Sequence, residues 1–254
     1  NLFRTFDDGL YCAEKNGKWG WINQNGETII PFIYDDPSDF WEGFARIKKD
    51  GKWGGINQKG ETVIPFIYEG SFDFWKGLAH AKKDGKCGWI NQKGETVIPF
   101  IYDETSAFDK GLAHAKKDGK WGWININGEI HIPFIYDKLN LMISKNELKC
   151  VQKDGKWGWI NIKGETVIPF VYDEAEWSEN DLAKVKKDGK YGWINIKGEI
   201  IIPLKFDEVI ENFLWNKSVR RVKVLNKYGV IDNHGKEIIP CMFDKVESIY
   251  SKGL

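Results

Sequence analysis

The chain reads as an all-β array of seven tandem repeats, each a β-meander of three to four short antiparallel strands, and three observations carry that reading. First, a Lys-Trp-Gly-Trp-Ile-Asn phrase or a close variant starts at Lys18, Lys52, Lys86, Lys120, Lys156, Lys190 and Lys227. Most neighbours stand 34 residues apart, as from 18 to 52, and the widest pair, 190 to 227, stands 37 apart. A self-similar period in this range marks solenoids, propellers or arrays, whose units cannot bury an apolar face alone. Second, short period-two segments alternate with Asp-Gly and Lys-Gly turn signals. Third, the 254 residues are 42% apolar and 15% aromatic, which suits a folded chain. The repeat overrides the length prior for two domains, so residues 1–254 are read as one domain.

The third repeat gives the elements in order. Leu78-Ala79-His80-Ala81-Lys82-Lys83 alternates with period two, and Asp84-Gly85 supplies the two-residue turn that best matches strand twist. Lys86-Cys87-Gly88-Trp89-Ile90-Asn91 then returns antiparallel. Gln92-Lys93-Gly94 makes a second tight loop, with Gly94 free to take positive φ. Glu95-Thr96-Val97-Ile98 is the third strand, and Pro99, which lacks a donor, is read as ending it at a sheet edge. Phe100-Ile101-Tyr102-Asp103-Glu104 is read as a fourth extended piece leading into a linker of variable length.

Register assigns the faces, because strand side chains alternate. Pairing Lys83 with Lys86 sets Ala81 opposite Gly88 and Ala79 opposite Ile90 on a small, flat face. His80 then lies opposite Trp89, and Lys82 opposite position 87, on a bulky one. Stacking would set the indole ridge of one sheet on the Ala/Gly floor of the next, a large-against-small fit that dense cores require. At ~25 cal/mol per Å² and roughly 150–250 Å² per aromatic ring, each buried indole contributes several kcal/mol before entropy. Trp19, Trp21, Trp53, Trp89, Trp121, Trp123, Trp157, Trp159 and Trp193 are accordingly assigned to the repeat core. The first aromatic slot becomes Cys87 in the third copy, and the second becomes Gly55 in the second copy and Val230 in the last.

Lys156-Trp157-Gly158-Trp159-Ile160-Asn161, Ile168-Pro169, Tyr172-Asp173 and Leu182-Ala183 resemble the unit of the WG-repeat (KWG-type) family of mainly bacterial proteins. The resemblance runs from end to end. It implies a repeated β module used for binding or display, and no shared catalytic residues. Seven units and complementary ends predict propeller-like closure in preference to an open superhelical β-solenoid. Asn1 is not an initiating Met, which fits either a removed leader or excision from a longer chain. The compartment stays open between the cytoplasm and an exported or surface setting.

Chemistry-bearing patterns are few. There is no Gly-rich phosphate loop, no HExxH and no G-x-S-x-G elbow, and the acids recur once per unit, so no enzyme and no cofactor are predicted. The 37 basic and 37 acidic residues cancel, which denies the long-range steering that nucleic-acid binders use. Lysine clusters such as Lys48-Lys49-Asp50-Gly51-Lys52 are read as edge protection. No apolar run approaches the ~18 residues of a membrane helix. Cys12, Cys87, Cys150 and Cys241 form no CxxC pair and read as buried small residues. Asn216-Lys217-Ser218 is a sequon, with meaning only in a secretory route. One column, Cys12, Arg46, His80, His114, Cys150, Lys184 and Arg221, holds potential metal ligands, but stacked sheets ~10 Å apart keep them from converging, and no metal is predicted.

The repeats disagree in the linkers, which hold Trp41, Trp75, Trp177 and Trp215. Loops on a rigid scaffold are where recognition resides, and Trp is enriched at hot spots. The expected function is a non-enzymatic binding or scaffold module meeting a protein partner through these four residues. The alternative is a lectin-like module holding a glycan or cell-envelope polymer in repeated aromatic pockets. A contiguous divergent patch would favour the first, and near-identical pockets the second.

Overall fold

The computed structural model describes residues 9–36, 38, 40–41, 43–70, 72–140, 147–177, 182–210 and 219–247, with the side chain of Trp41 excepted. The described residues are strands and turns, in seven antiparallel sheets that follow the seven repeats. Among them no helix is long and apolar enough to cross a membrane. The chain divides into two compact parts, Asn1–Phe134 and Ile135–Leu254, with the boundary inside the last strand of the fourth sheet, Ile130–Tyr136.

The third sheet illustrates the plan: Phe74–Trp75, Leu78–Lys83, Lys86–Asn91 and Thr96–Tyr102, hydrogen-bonded in that order. The central hairpin takes the register read from the sequence, with Lys83 opposite Lys86, Ala81 opposite Gly88 and His80 opposite Trp89. Its turn residues Asp84 and Gly85 have φ of 50° and 75°, the positive pair that a two-residue turn with matched twist requires. Gly94 is positive as well, at 76°.

Two expectations are corrected. Pro99 does not end its strand, which continues to Tyr102 through a bulge: Trp89 faces Ile98, but Cys87 faces Tyr102. The bulge leaves the proline on the free edge, where its missing N–H costs no ladder bond. The fourth extended piece is consequently split. Its first half finishes the third strand, while Glu104–Thr105 crosses over to pair with Leu112–Lys117 in the fourth sheet. The chain thus hands the short first strand of each new sheet across from the linker before it, and the Asp103 N–H already bonds the Lys116 carbonyl of the next repeat at 2.8 Å.

The same bulge explains the glycine between the two aromatic slots. A Cβ on Gly88 would stand 2.8 Å from the Ile98 carbonyl oxygen and 2.9 Å from the Phe100 ring. Gly88 is therefore not simply floor for a neighbouring indole. Its bareness lets Phe100 fold over its own sheet and reach Tyr68 of the preceding repeat, ring centroids 5.8 Å apart. Tyr34 with Phe66 and Tyr102 with Phe134 repeat the contact, as do Tyr136 and Phe170 in the second part.

Sheet-to-sheet packing is large against small. Trp21, Ile30 and Tyr34 of the first sheet meet Ala45, Ile47 and Ile56 of the second. Trp89, Ile98 and Tyr102 meet Ala113, Ala115 and Ile124, and in the second part Trp159 and Tyr172 meet Ala183, Val185 and Ile194. Each cluster joins consecutive sheets. The indole N–H groups of Trp21, Trp159 and Trp193 are buried without a hydrogen-bond partner, a cost of about 1–3 kcal/mol each that ring burial has to exceed.

Candidate functional site

The two aromatic slots differ in depth. Trp21, Trp89, Trp123, Trp159 and Trp193 in the second slot are buried, whereas Trp19, Trp53, Trp121 and Trp157 in the first are half-buried. Cations from the adjoining strand lie over the half-buried rings, Lys116 at 5.4 Å from Trp121 and Arg46 at 5.7 Å from Trp53. Of the linker tryptophans, Trp75 is 56% exposed, with the Lys76 ammonium 4.5 Å from its ring. Trp41 is placed in a short strand opposite Phe44, and Trp215 lies outside the described residues, as does the sequon at 216–218. Trp177 is corrected: it is 6% exposed and edge-on to Trp159 at 5.7 Å, a core contact that no partner at the surface can reach.

That contact belongs to a pattern. The linker aromatic packs on the second-slot indole of its own repeat in Trp21 with Phe40 at 5.4 Å, Trp89 with Phe108 at 5.1 Å, and Trp159 with Trp177. The second repeat cannot make it, because its slot holds Gly55. There Phe44, standing where other copies have Leu, bends over the glycine so closely that a Cβ on Gly55 would be 2.1 Å from its ring. Phe74, the equivalent of Phe40 and Phe108, packs edge-on against Phe44 at 5.8 Å instead. The Phe44 ring fills the place over Gly55, and a cavity of about 800 Å³ lies beside that ring. That volume lies in the range of ligand pockets.

Phe44, Val63, Phe72 and Phe74 make its apolar wall, and Arg46, Asp73 and Lys76 bring charge. Ser38 and Gln92 add neutral polar groups. The wall is rigid, since Trp75 pairs with Leu78 across a tight turn in which Lys76 and Gly77 have φ of 49° and 81°. Arg46 pairs with Gly55 across the hairpin, and the missing indole gives its guanidinium room to cross. Nη1 donates to the Phe72 carbonyl at 2.7 Å and to the Asp73 carboxylate, while Nε is buried with no partner.

The only other described repeat with a small second slot repeats the device. Val230 faces Arg221, whose Nη1 donates 2.8 Å to the carbonyl of Val246. Sequence reasoning weighed this column as metal ligands and missed the arginines; the signal was the coincidence of Arg with the two copies that lack the second Trp. The two histidines of the column are otherwise engaged: His80 Nε2 lies 2.6 Å from Thr105 Oγ1, with its pKa lowered by burial, and His114 stands edge-on to Trp121 at 5.5 Å. Burial pushes the Cys150 thiol up to about 12, which leaves it an unreactive core residue. Among the described residues no group of His, Cys, Asp and Glu could hold a metal ion.

The family described as WG containing repeat matches residues 19–53, 53–87, 88–121, 121–157, 157–191, 191–228 and 228–254. The chain is a WG-repeat protein. No curated protein matches the sequence. Among solved structures the WG-repeat chain is similar to a eukaryotic initiation factor at 12% identity and TM-score 0.40, covering 91% of this chain and 73% of that one. It is similar to the extracellular domain of a one-component system from B. thetaiotaomicron at 12% identity and TM-score 0.36, covering 92% of this chain and 40% of that one. Hsv2 of Kluyvelomyces marxianus matches at 9% identity and TM-score 0.34, over 97% and 98% of the two chains. Likenesses this distant carry no functional argument.

Proposed function

We propose that this WG-repeat chain is a non-enzymatic binding module that engages a protein partner through the linker rim of its second and third repeats. The observation that carries the reading is the cavity lined by Phe44, Phe72, Phe74 and Arg46, which sits in the repeat that breaks the pattern and next to the exposed Trp75. An asymmetric pocket walled by Phe and flanked by an exposed Trp and Arg has the composition of an interaction hot spot. The second-slot indoles are buried, which leaves them no face for stacking on sugars. The recurring carboxylates already have structural partners: Asp35, Asp103 and Asp173 hold Lys18, Lys86 and Lys156, and Glu27, Glu61 and Glu95 accept from the Asn of their own turn.

Affinity capture with the whole chain, run beside a glycan array, tests this. Retention of one protein by the native chain, lost with Trp75→Ala while the melting temperature holds, is the expected result. Array binding to an oligosaccharide with no protein retained would overturn it.

A further inference from the structure

The second repeat leaves an aromatic contact unmade that the first, third and fifth make internally, and the described residues lining the cavity beside it include two cations and one carboxylate. Resting on the protein-binding reading above, we infer that the cavity accepts an aromatic side chain flanked by a carboxylate, presented by an extended segment of the partner.

The aromatic half follows from packing. Phe44 and Phe72 both meet Phe74 edge-on, at 5.8 and 6.0 Å and near-perpendicular angles, so the wall offers ring faces and edges to a further ring. Aromatic pairs in that geometry gain energy beyond area burial.

The acidic half follows from Arg46. Among the described residues that line the cavity, Arg46 and Lys76 stand beside one carboxylate, Asp73. The guanidinium is held in place from behind, by the Phe72 carbonyl and the Trp53 ring, while the Asp73 side chain is 90% exposed. An ion pair with so exposed a partner contributes little and yields readily to a competitor. Asp73 acts as a placeholder: an incoming carboxylate takes its position on Arg46, and a guanidinium accommodates carboxylates in a fixed, directional fork.

Selection of a phage-displayed library of random dodecapeptides on the whole chain tests the inference. Enriched peptides carry an aromatic residue within two positions of Asp or Glu, and synthetic versions bind at least tenfold more weakly when the acid is changed to its amide. Arg46→Gln weakens them tenfold or more, and Asp73→Asn, at an exposed position that leaves folding intact, tightens them two- to fivefold. The second variant keeps the test decisive if Arg46→Gln destabilises the sheet. Enrichment of neutral or basic peptides that still depend on Trp75 would overturn this inference and leave the protein-binding reading standing. Recovery of no peptide overturns the inference, and glycan binding alongside that result removes both.

Discussion

Gly55 and Gly88 are both glycines of a central strand, yet they are bare for opposite reasons. Gly88 is bare because backbone occupies the place of its side chain, and a carbonyl oxygen cannot step aside. Gly88→Ala should therefore cost about 1–3 kcal/mol in chemical denaturation, in line with overpacked sites. Gly55 is bare because the Phe44 ring, a side chain, has moved over it. Gly55→Trp alone should destabilise by a similar ~1–3 kcal/mol, whereas Phe44→Leu with Gly55→Trp restores the pairing of the other copies and should recover most of that loss. A double-mutant cycle reads the coupling. The same double variant takes the Phe44 ring out of the cavity wall and should weaken partner binding while leaving the sheet intact. The substitution at 55 was plain in the sequence, but its compensation at 44 was not, because the two positions are opposed only once the hairpin register and ring direction are known.

At the scale of the element, repeats are clipped to the next by the acid that follows the third strand, Asp in most copies and Glu69, which accepts from the Gly85 N–H, in the second. Asp103 accepts from Lys86 of its own sheet and from the Gly119 N–H in the turn of the next, and Asp35 does the same with Lys18 and Gly51. In the second part Asp207 joins Lys190 to the Leu225 N–H. The lysine bond first and the turn amide second hold these carboxyls below the usual carboxylate range, and the bond to Asp raises the lysines Lys18, Lys86 and Lys156. A carboxyl lowered on folding contributes stability that is present above its unfolded pKa, near 3.9, and is lost as pH falls through the folded value. A raised lysine contributes below its unfolded pKa and loses that contribution as pH rises through the folded one. Melting temperature should thus hold a plateau through neutral pH and fall below about pH 4, and Asp35→Asn with Asp103→Asn should flatten the acid limb. The sequence displayed the recurring Asp without its purpose, since the clip joins residues 16 to 18 apart across two sheets.

For the whole chain, stability is distributed between consecutive repeats, because every apolar cluster described above joins one sheet to the next. Gly20 and Gly88, in the first and third sheets, share no cluster. The cost of changing both to Ala should equal the sum of the single costs within ~0.5 kcal/mol, and a marked excess would mean that strain passes through the second sheet. The repeat period, Asp-Gly turns and alternation were enough to determine the all-β class, the seven units and the hairpin register, because these depend on local twist and period-two geometry. Tertiary structure alone decided where Pro99 sits, which sheet receives each linker strand, that Trp177 is core, and that the Phe44 ring covers Gly55 while Arg46 reaches the Phe72 carbonyl. Those outcomes depend on which side chain reaches a given volume first, and residues distant in the chain compete for it.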